Sequence, residues 1–158
     1  MSTVFHLDDV PVRTGSGYPE PFDAPCRERA VQKLGDHGGL DQFGVSRITL
    51  PPGAWSSQRH WHSAEDELVI VVEGHPTLVT DGSRQVLDPG SVTAHKAGEP
   101  DGHHMINETD APVVYLVVGA RRPDIDTGHY PDIDLHLPAN GTPVRHYERK
   151  SGEPYAPG

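Results

Sequence analysis

The residues best equipped for chemistry in this chain are imidazoles. Eleven of its 158 residues are histidine, and five fall close together: His60 and His62, then His95, His103 and His104. Neutral imidazole is the commonest protein ligand for metal ions. His60 and His62 are two apart, and on a strand such residues share a face, so both rings can reach one ion. Glu67 follows at the head of the run LVIVV, where a turn would bring its carboxylate beside the two rings. Further on, GEPDGHHMIN offers His103 or His104 as a fourth ligand. His95 and Lys96 are candidate catalytic groups. In a site cavity Lys96 could bind an anionic substrate or act as a base if desolvated; at the rim it would be an ordinary surface lysine. Glu65 and Asp66 read as solvent-facing or supporting carboxylates.

Short strands must position these groups. Val45–Leu50 alternates, and Pro51, Pro52 and Gly53 end it. Leu68–Val72 is a continuous β-branched run of buried-strand length. Pro76–Thr80 and Gln85–Leu87 flank Asp81-Gly82, a strong hairpin signal. Ser91–His95, His103–Ile106 and Val113–Val118 complete the series. Strands this short with turns this frequent predict an all-β sandwich or barrel over residues 44–121. Residues 1–43 read as an N-terminal arm broken by Gly15, Gly17, Pro19, Pro21 and Pro25, with a short helix over Cys26–Gly35. Residues 122–158 read as a C-terminal arm in which Ile133, Leu135 and Leu137 alternate and dock as an extended segment. Trp61, between two inward histidines, should point away from an ion and into packing. Tyr115 reads as core.

Composition narrows the function. Glycine and proline together supply 33 residues, which disfavours a helical bundle. A net charge of −10 repels phosphate backbones and anionic lipid, so neither nucleic acid nor membrane is an expected partner. No apolar stretch is long enough for a membrane span, and the first residues lack a signal-peptide pattern; a cytoplasmic location is expected. A lone cysteine, Cys26, excludes an intrachain disulfide and reads as a half-buried thiol. Nucleotide-binding glycine loops and the GxSxG nucleophile elbow are missing.

Gly53, His60, His62, Glu67 and Gly74 resemble the first motif of the cupin superfamily, with one residue more than usual between Gly53 and His60. His103 and Asn107 match the histidine–asparagine spacing of its second motif, although Lys96 stands where a proline is usual and two extra residues follow Gly98. The resemblance covers about residues 44–120 and is greatest to small single-domain bacterial cupins with an HWHSAEDE-type motif, loosely labelled sugar-phosphate isomerase-like. It implies a double-stranded β-helix (a jelly-roll barrel) and commonly a homodimer. It also implies one divalent ion per chain held by three histidines and a glutamate: His60, His62, Glu67 and His103, with His104 as the alternative fourth ligand. Such a set suits Zn, Fe, Mn, Ni or Co alike. Open positions on the ion would let it polarise a carbonyl or activate water. The function so implied is a metal-dependent enzyme acting on a small polar, carbonyl- or carboxylate-bearing metabolite by isomerase or lyase chemistry. An Fe(II) dioxygenase, a biosynthetic bond-forming enzyme and a non-catalytic small-ligand-binding barrel are the alternatives.

Overall fold

The structure, a computed structural model, describes residues 4–156. In chain order its strands and helix are β1 (Val12–Thr14), β2 (Ala30–Lys33), α1 (Leu34–His37), β3 (Phe43–Leu50), β4 (Trp61–His62), β5 (Glu67–Glu73), β6 (Thr77–Val79), β7 (Arg84–Val86), β8 (Val92–His95), β9 (His104–Ile106), β10 (Val113–Ala120), β11 (Gly128–Tyr130) and β12 (Leu135–Leu137). One antiparallel sheet runs β1-β2-β3-β10-β5-β8; two smaller sheets run β7-β6-β9 and β12-β11-β4. This is a jelly roll, the form of all-β fold that the motif resemblance implies.

The strand period explains which groups face inward. On β5, Val69 and Val71 are buried while Val72 is exposed, so Glu67 lies on the same inward face. The register sets Glu67 opposite His95 of β8 on one side and opposite Gly119 of β10 on the other. Gly119 has no side chain to fill the space beside the carboxylate. His103, Met105 and Asn107 share a face by the same rule, and all three are buried. The core gathers Val31, Ile48, Leu50, Val69, Val71, Val113 and Tyr115 from the large sheet and Met105 from the opposing one. Tyr115 is therefore core, as its surroundings in VVYLVV suggest.

Two turns close this frame. Gly74 has φ +78°, and a Cβ there would sit 2.6 Å from the Pro112 carbonyl oxygen. Asn107, fully buried, donates to the carbonyls of Leu50 and Ala111 at 2.8 Å each and accepts from the Thr109 N–H and hydroxyl. Leaving such buried partners unpaired costs about 1–3 kcal/mol per group, so Asn107 staples the β9–β10 turn rather than serving chemistry.

The N-terminal segment differs from its sequence reading. Cys26–Gly35 is not a helix. A 3-10 turn at Ala24–Cys26 leads to β2, and only Leu34–His37 is helical. Val31 packs into the core, and Arg47 of β3 donates to the Gln32 side chain at 3.2 Å. Pairing along the whole length of β2 with β3 outweighs a weak helix propensity. Cys26 is fully buried rather than half-buried. At the other end, β11 pairs with β4 on one side and with β12 on the other, and Leu135 of β12 is fully buried. Tyr18, Cys26, Tyr130, Leu135 and Tyr147 form a second core where the two terminal segments meet. Among the described residues, no helix is long and apolar enough to cross a membrane.

Candidate metal centre

His60 and His62 are delivered by the segment that enters β4. Arg59 anchors it: its guanidinium donates two 2.7 Å bonds to Asp132, reaches Asp81, and donates to the Gly102 carbonyl at 3.2 Å. One side chain thus ties the first histidine pair to the loop that precedes His103. A backbone bridge between His60 and His103 completes the tie.

Outer partners set the imidazole orientations. His60 Nδ1 lies 2.8 Å from the Gln58 carbonyl oxygen, and His62 Nδ1 lies 2.7 Å from Asp126 Oδ2. An oxygen that can only accept requires N–H at Nδ1, which leaves Nε2 with a free lone pair. Donor atoms of His60, His62 and Glu67 all fall within 4.8 Å of one another. His103 Nε2 lies 3.1 Å from Glu67 Oε1. Two donors each about 2.1 Å from one ion and at right angles would lie about 3 Å apart, so this spacing suits neighbouring ligands. His103 Nδ1 is buried without a partner, so without an ion the ring's proton sits on Nε2 and is donated to Glu67; ligation by Nε2 would move that proton to Nδ1. His60, His62 and Glu67 form a donor set that fits a divalent ion, and His103 stands beside Glu67 as the candidate for a fourth position.

Protonation favours the ligating forms of His60 and Glu67. Burial drives His60 well below the ordinary imidazole range, and the neighbouring His62 and His103 add to the effect. Burial opposes ionisation of Glu67, yet the hydrogen bond from His103 and the charges of the histidines hold it at about 2. Metal ligands must be deprotonated in this sense.

The remaining sequence candidates separate cleanly. His104 faces the opposite way: Nδ1 bonds the Ser57 carbonyl oxygen at 2.9 Å, and its ring meets Trp55 edge-on. Of the two alternatives for the fourth position, His103 is the one brought to the cluster. His95 stacks on His103 with centroids 3.5 Å apart and planes 8° off parallel, and its Nε2 lies 3.0 Å from the Thr93 hydroxyl. Lys96 is exposed beside a small side opening also lined by Trp61, Glu99 and Asp101. Trp61 turns from the cluster and stacks on His129 at 4.1 Å. Glu65 accepts from the Arg122 N–H at 2.6 Å and Asp66 from the Ala97 N–H at 2.8 Å, so both brace the loops around the site.

Asp126 is the residue that sequence reasoning missed. Besides His62, it accepts the backbone N–H groups of Ala64 and Glu65 at 2.8 and 3.2 Å. Burial alone would raise its pKa, but the bond from His62 and these N–H groups outweigh burial and hold the carboxyl below its usual range. With an ion on His62 it would be the outer carboxylate of a carboxylate–histidine–metal arrangement, fixing the tautomer and raising ligand basicity.

The neutral imidazoles carry a pH consequence. His95 is lowered to about 4, by burial first and by His103 second, and His60 is lowered by burial. In the unfolded chain both titrate near 6.5. Below that value the unfolded state binds more protons, so stability falls with falling pH. The melting temperature of chelator-treated protein is expected to drop steadily from pH 7 to pH 4.5, and less steeply in His95→Gln. A flat or rising profile on acidification would contradict these assignments.

The fold and site agree with what the chain resembles. Residues 46–119 match the Cupin_2 model, described as a cupin domain. A crystal structure from Silicibacter pomeroyi, described as a sugar phosphate isomerase from a cupin superfamily, is 42% identical. The match covers 98% of this chain and 97% of that one, with a TM-score of 0.90. A putative sugar phosphate isomerase from Acidithiobacillus ferrooxidans is 26% identical over 88% of this chain and 86% of that one, with a TM-score of 0.75. A polyketide cyclase from Streptomyces resistomycificus shares the fold at 21% identity, covering 76% and 80% of the two chains with a TM-score of 0.59. No curated protein matches the sequence. With a jelly roll, an inward His-x-His and glutamate, and near-complete alignment to a relative of 42% identity, the chain belongs to the cupin superfamily.

Proposed function

We propose that this protein is a metal-dependent enzyme that rearranges a small polar metabolite bearing a carbonyl or carboxylate, by isomerase- or lyase-type chemistry. The observation that carries the reading is the outward anchoring of both Nδ1 atoms of His60 and His62, which leaves their Nε2 lone pairs for an ion shared with Glu67. When bound, a divalent ion at this place supplies Lewis-acid polarisation of a carbonyl or hydroxyl oxygen. Glu67, as a ligand, is not available as the base. His95 stands nearest to that role. It touches the His103 ring, and Thr93 occupies its Nε2, so Nδ1 is the nitrogen left to take or return a proton. Lys96, at the rim, would meet an incoming anion before the ligand reaches the cluster. The name carried by the relative of 42% identity supports the isomerase side of the reading.

The test is an anaerobic incubation of metal-loaded protein in deuterated water with three- to six-carbon hydroxycarbonyl compounds, with and without phosphate, followed by NMR. Exchange of the C–H next to the carbonyl is expected, and His95→Gln should slow it by about 10²–10⁴-fold, the usual value of a general base. Turnover that occurs only with oxygen would replace this reading by the dioxygenase. Stoichiometric binding without exchange or turnover would replace it by the ligand-binding barrel.

The partner of the chain, in this reading, is a second copy. Both edges of the large sheet are uncovered, and Val12 on β1 and Val92 on β8 are exposed there. Such edges invite pairing, and a solution mass of two chains by light scattering is expected.

A further inference from the structure

The cavity that holds the metal cluster continues past it toward the two terminal segments and measures about 780 Å³. That is a size suited to a small-molecule ligand. Four carboxylates line it, and each is engaged. Asp36 pairs with Lys33 and Arg121, Glu65 accepts from Arg122, Glu67 meets His103, and Asp126 meets His62. Three guanidiniums line it with no carboxylate partner among the described residues: Arg13, Arg29 and Arg145. Arg29 is held by backbone carbonyls alone, donating from Nε to Gly15 at 3.0 Å and from Nη1 to Ser56. Arg145 is exposed and lies two residues before the buried Tyr147.

Among the described residues Arg27, Arg59, Arg84, Arg121 and Arg149 pair with carboxylates; of the five that do not, Arg13, Arg29 and Arg145 line this cavity. Arg29 is tied to Gly15, three residues before Tyr18, and Arg145 stands two residues before Tyr147, whose ring lies 5.3 Å from that of Tyr18; all five line the same cavity. From there the way to the metal cluster is short: Tyr18 packs edge-on against Tyr130 at 5.8 Å, and Tyr130 stacks on His60 at 5.6 Å. A planar guanidinium held from behind by backbone oxygens keeps its remaining donors for a carboxylate or phosphate.

We propose that Arg29 and Arg145 form an oxyanion subsite in the metal cavity, so that the ligand carries a carboxylate or phosphate at one end and chelating oxygens at the other. The chelating end rests on the function proposed above; the anionic end stands on the unpaired arginines alone.

Calorimetric titration at low ionic strength with inorganic phosphate and, separately, malonate tests it, with metal content measured on the same samples. Saturable binding of at least one anion is expected, and which one identifies the anionic end. Arg145→Gln should weaken that binding at least about tenfold, as loss of a charge-assisted bond does, with metal content unchanged. His62→Ala, lacking the ion, should keep it. Should Arg29→Gln misfold through its ties to Gly15 and Ser56, the Arg145 variant decides alone. The proposal is overturned if neither anion binds saturably, if Arg145→Gln binds as tightly as the parent, or if binding disappears with the ion in His62→Ala. Loss of metal with arginine-dependent anion binding intact would instead remove the metal reading and leave this one standing.

Discussion

His62→Ala is expected to abolish stoichiometric metal uptake and, with it, turnover. Its ring supplies one of the three donors that lie within 4.8 Å of one another and is the one that Asp126 orients. Losing a partner one bond further out already costs about 10–100-fold in affinity, so losing the ligand itself should cost more than about 100-fold. Elemental analysis of untagged protein, before and after dialysis against a weak chelator, measures this. Asp126 retains its bonds from Ala64 and Glu65 in the variant, so the fold should persist with a stability loss of about 1–3 kcal/mol, the usual cost of one unpaired buried group. Metal content equal to the parent's would show that the cluster is not the centre.

Asp126→Asn tests the same centre without touching a ligand. The amide preserves the size of the side chain and an oxygen for the Ala64 and Glu65 N–H groups. Its NH2, however, is a donor where the carboxylate accepted. Facing His62 Nδ1, it selects the tautomer with the proton on Nε2, the nitrogen needed for the ion. Metal affinity is expected to fall by about 10–100-fold while the circular dichroism spectrum stays that of the parent. Asp126→Glu, which restores an acceptor, should recover part of the loss. Affinity unchanged in the asparagine variant would make Asp126 a loop brace and nothing more.

The contrast between these two residues shows what the sequence makes legible. His60, His62 and Glu67 lie within eight residues, and strand alternation with one turn suffices to bring them together. His104 and Ile106 are buried like Met105 and Asn107, so what favours His103 over His104 in the sequence is its four-residue spacing to Asn107. Asp126 sits 64 residues from His62, in a segment where Asp124, Asp126, Asp132 and Asp134 look alike. Nothing local distinguishes the one that docks. The β2 strand was hidden differently. CRERAVQKLG carries residues that tolerate helix, and the hydrogen bonds that make Ala30–Lys33 a strand belong to β3, which follows in sequence. Arg29 and Arg145 come from opposite ends of the chain and acquire a shared meaning only when the two terminal segments close over one cavity.

Soaking crystals with Co(II) and mapping the anomalous signal addresses the central claim with the fewest intermediate steps. The account predicts one strong peak per chain, about 2.0–2.2 Å from nitrogen of His60, His62 and His103 and from a Glu67 oxygen, with His104 still turned toward Trp55. A peak on another set of residues, or none at the cluster, would contradict it.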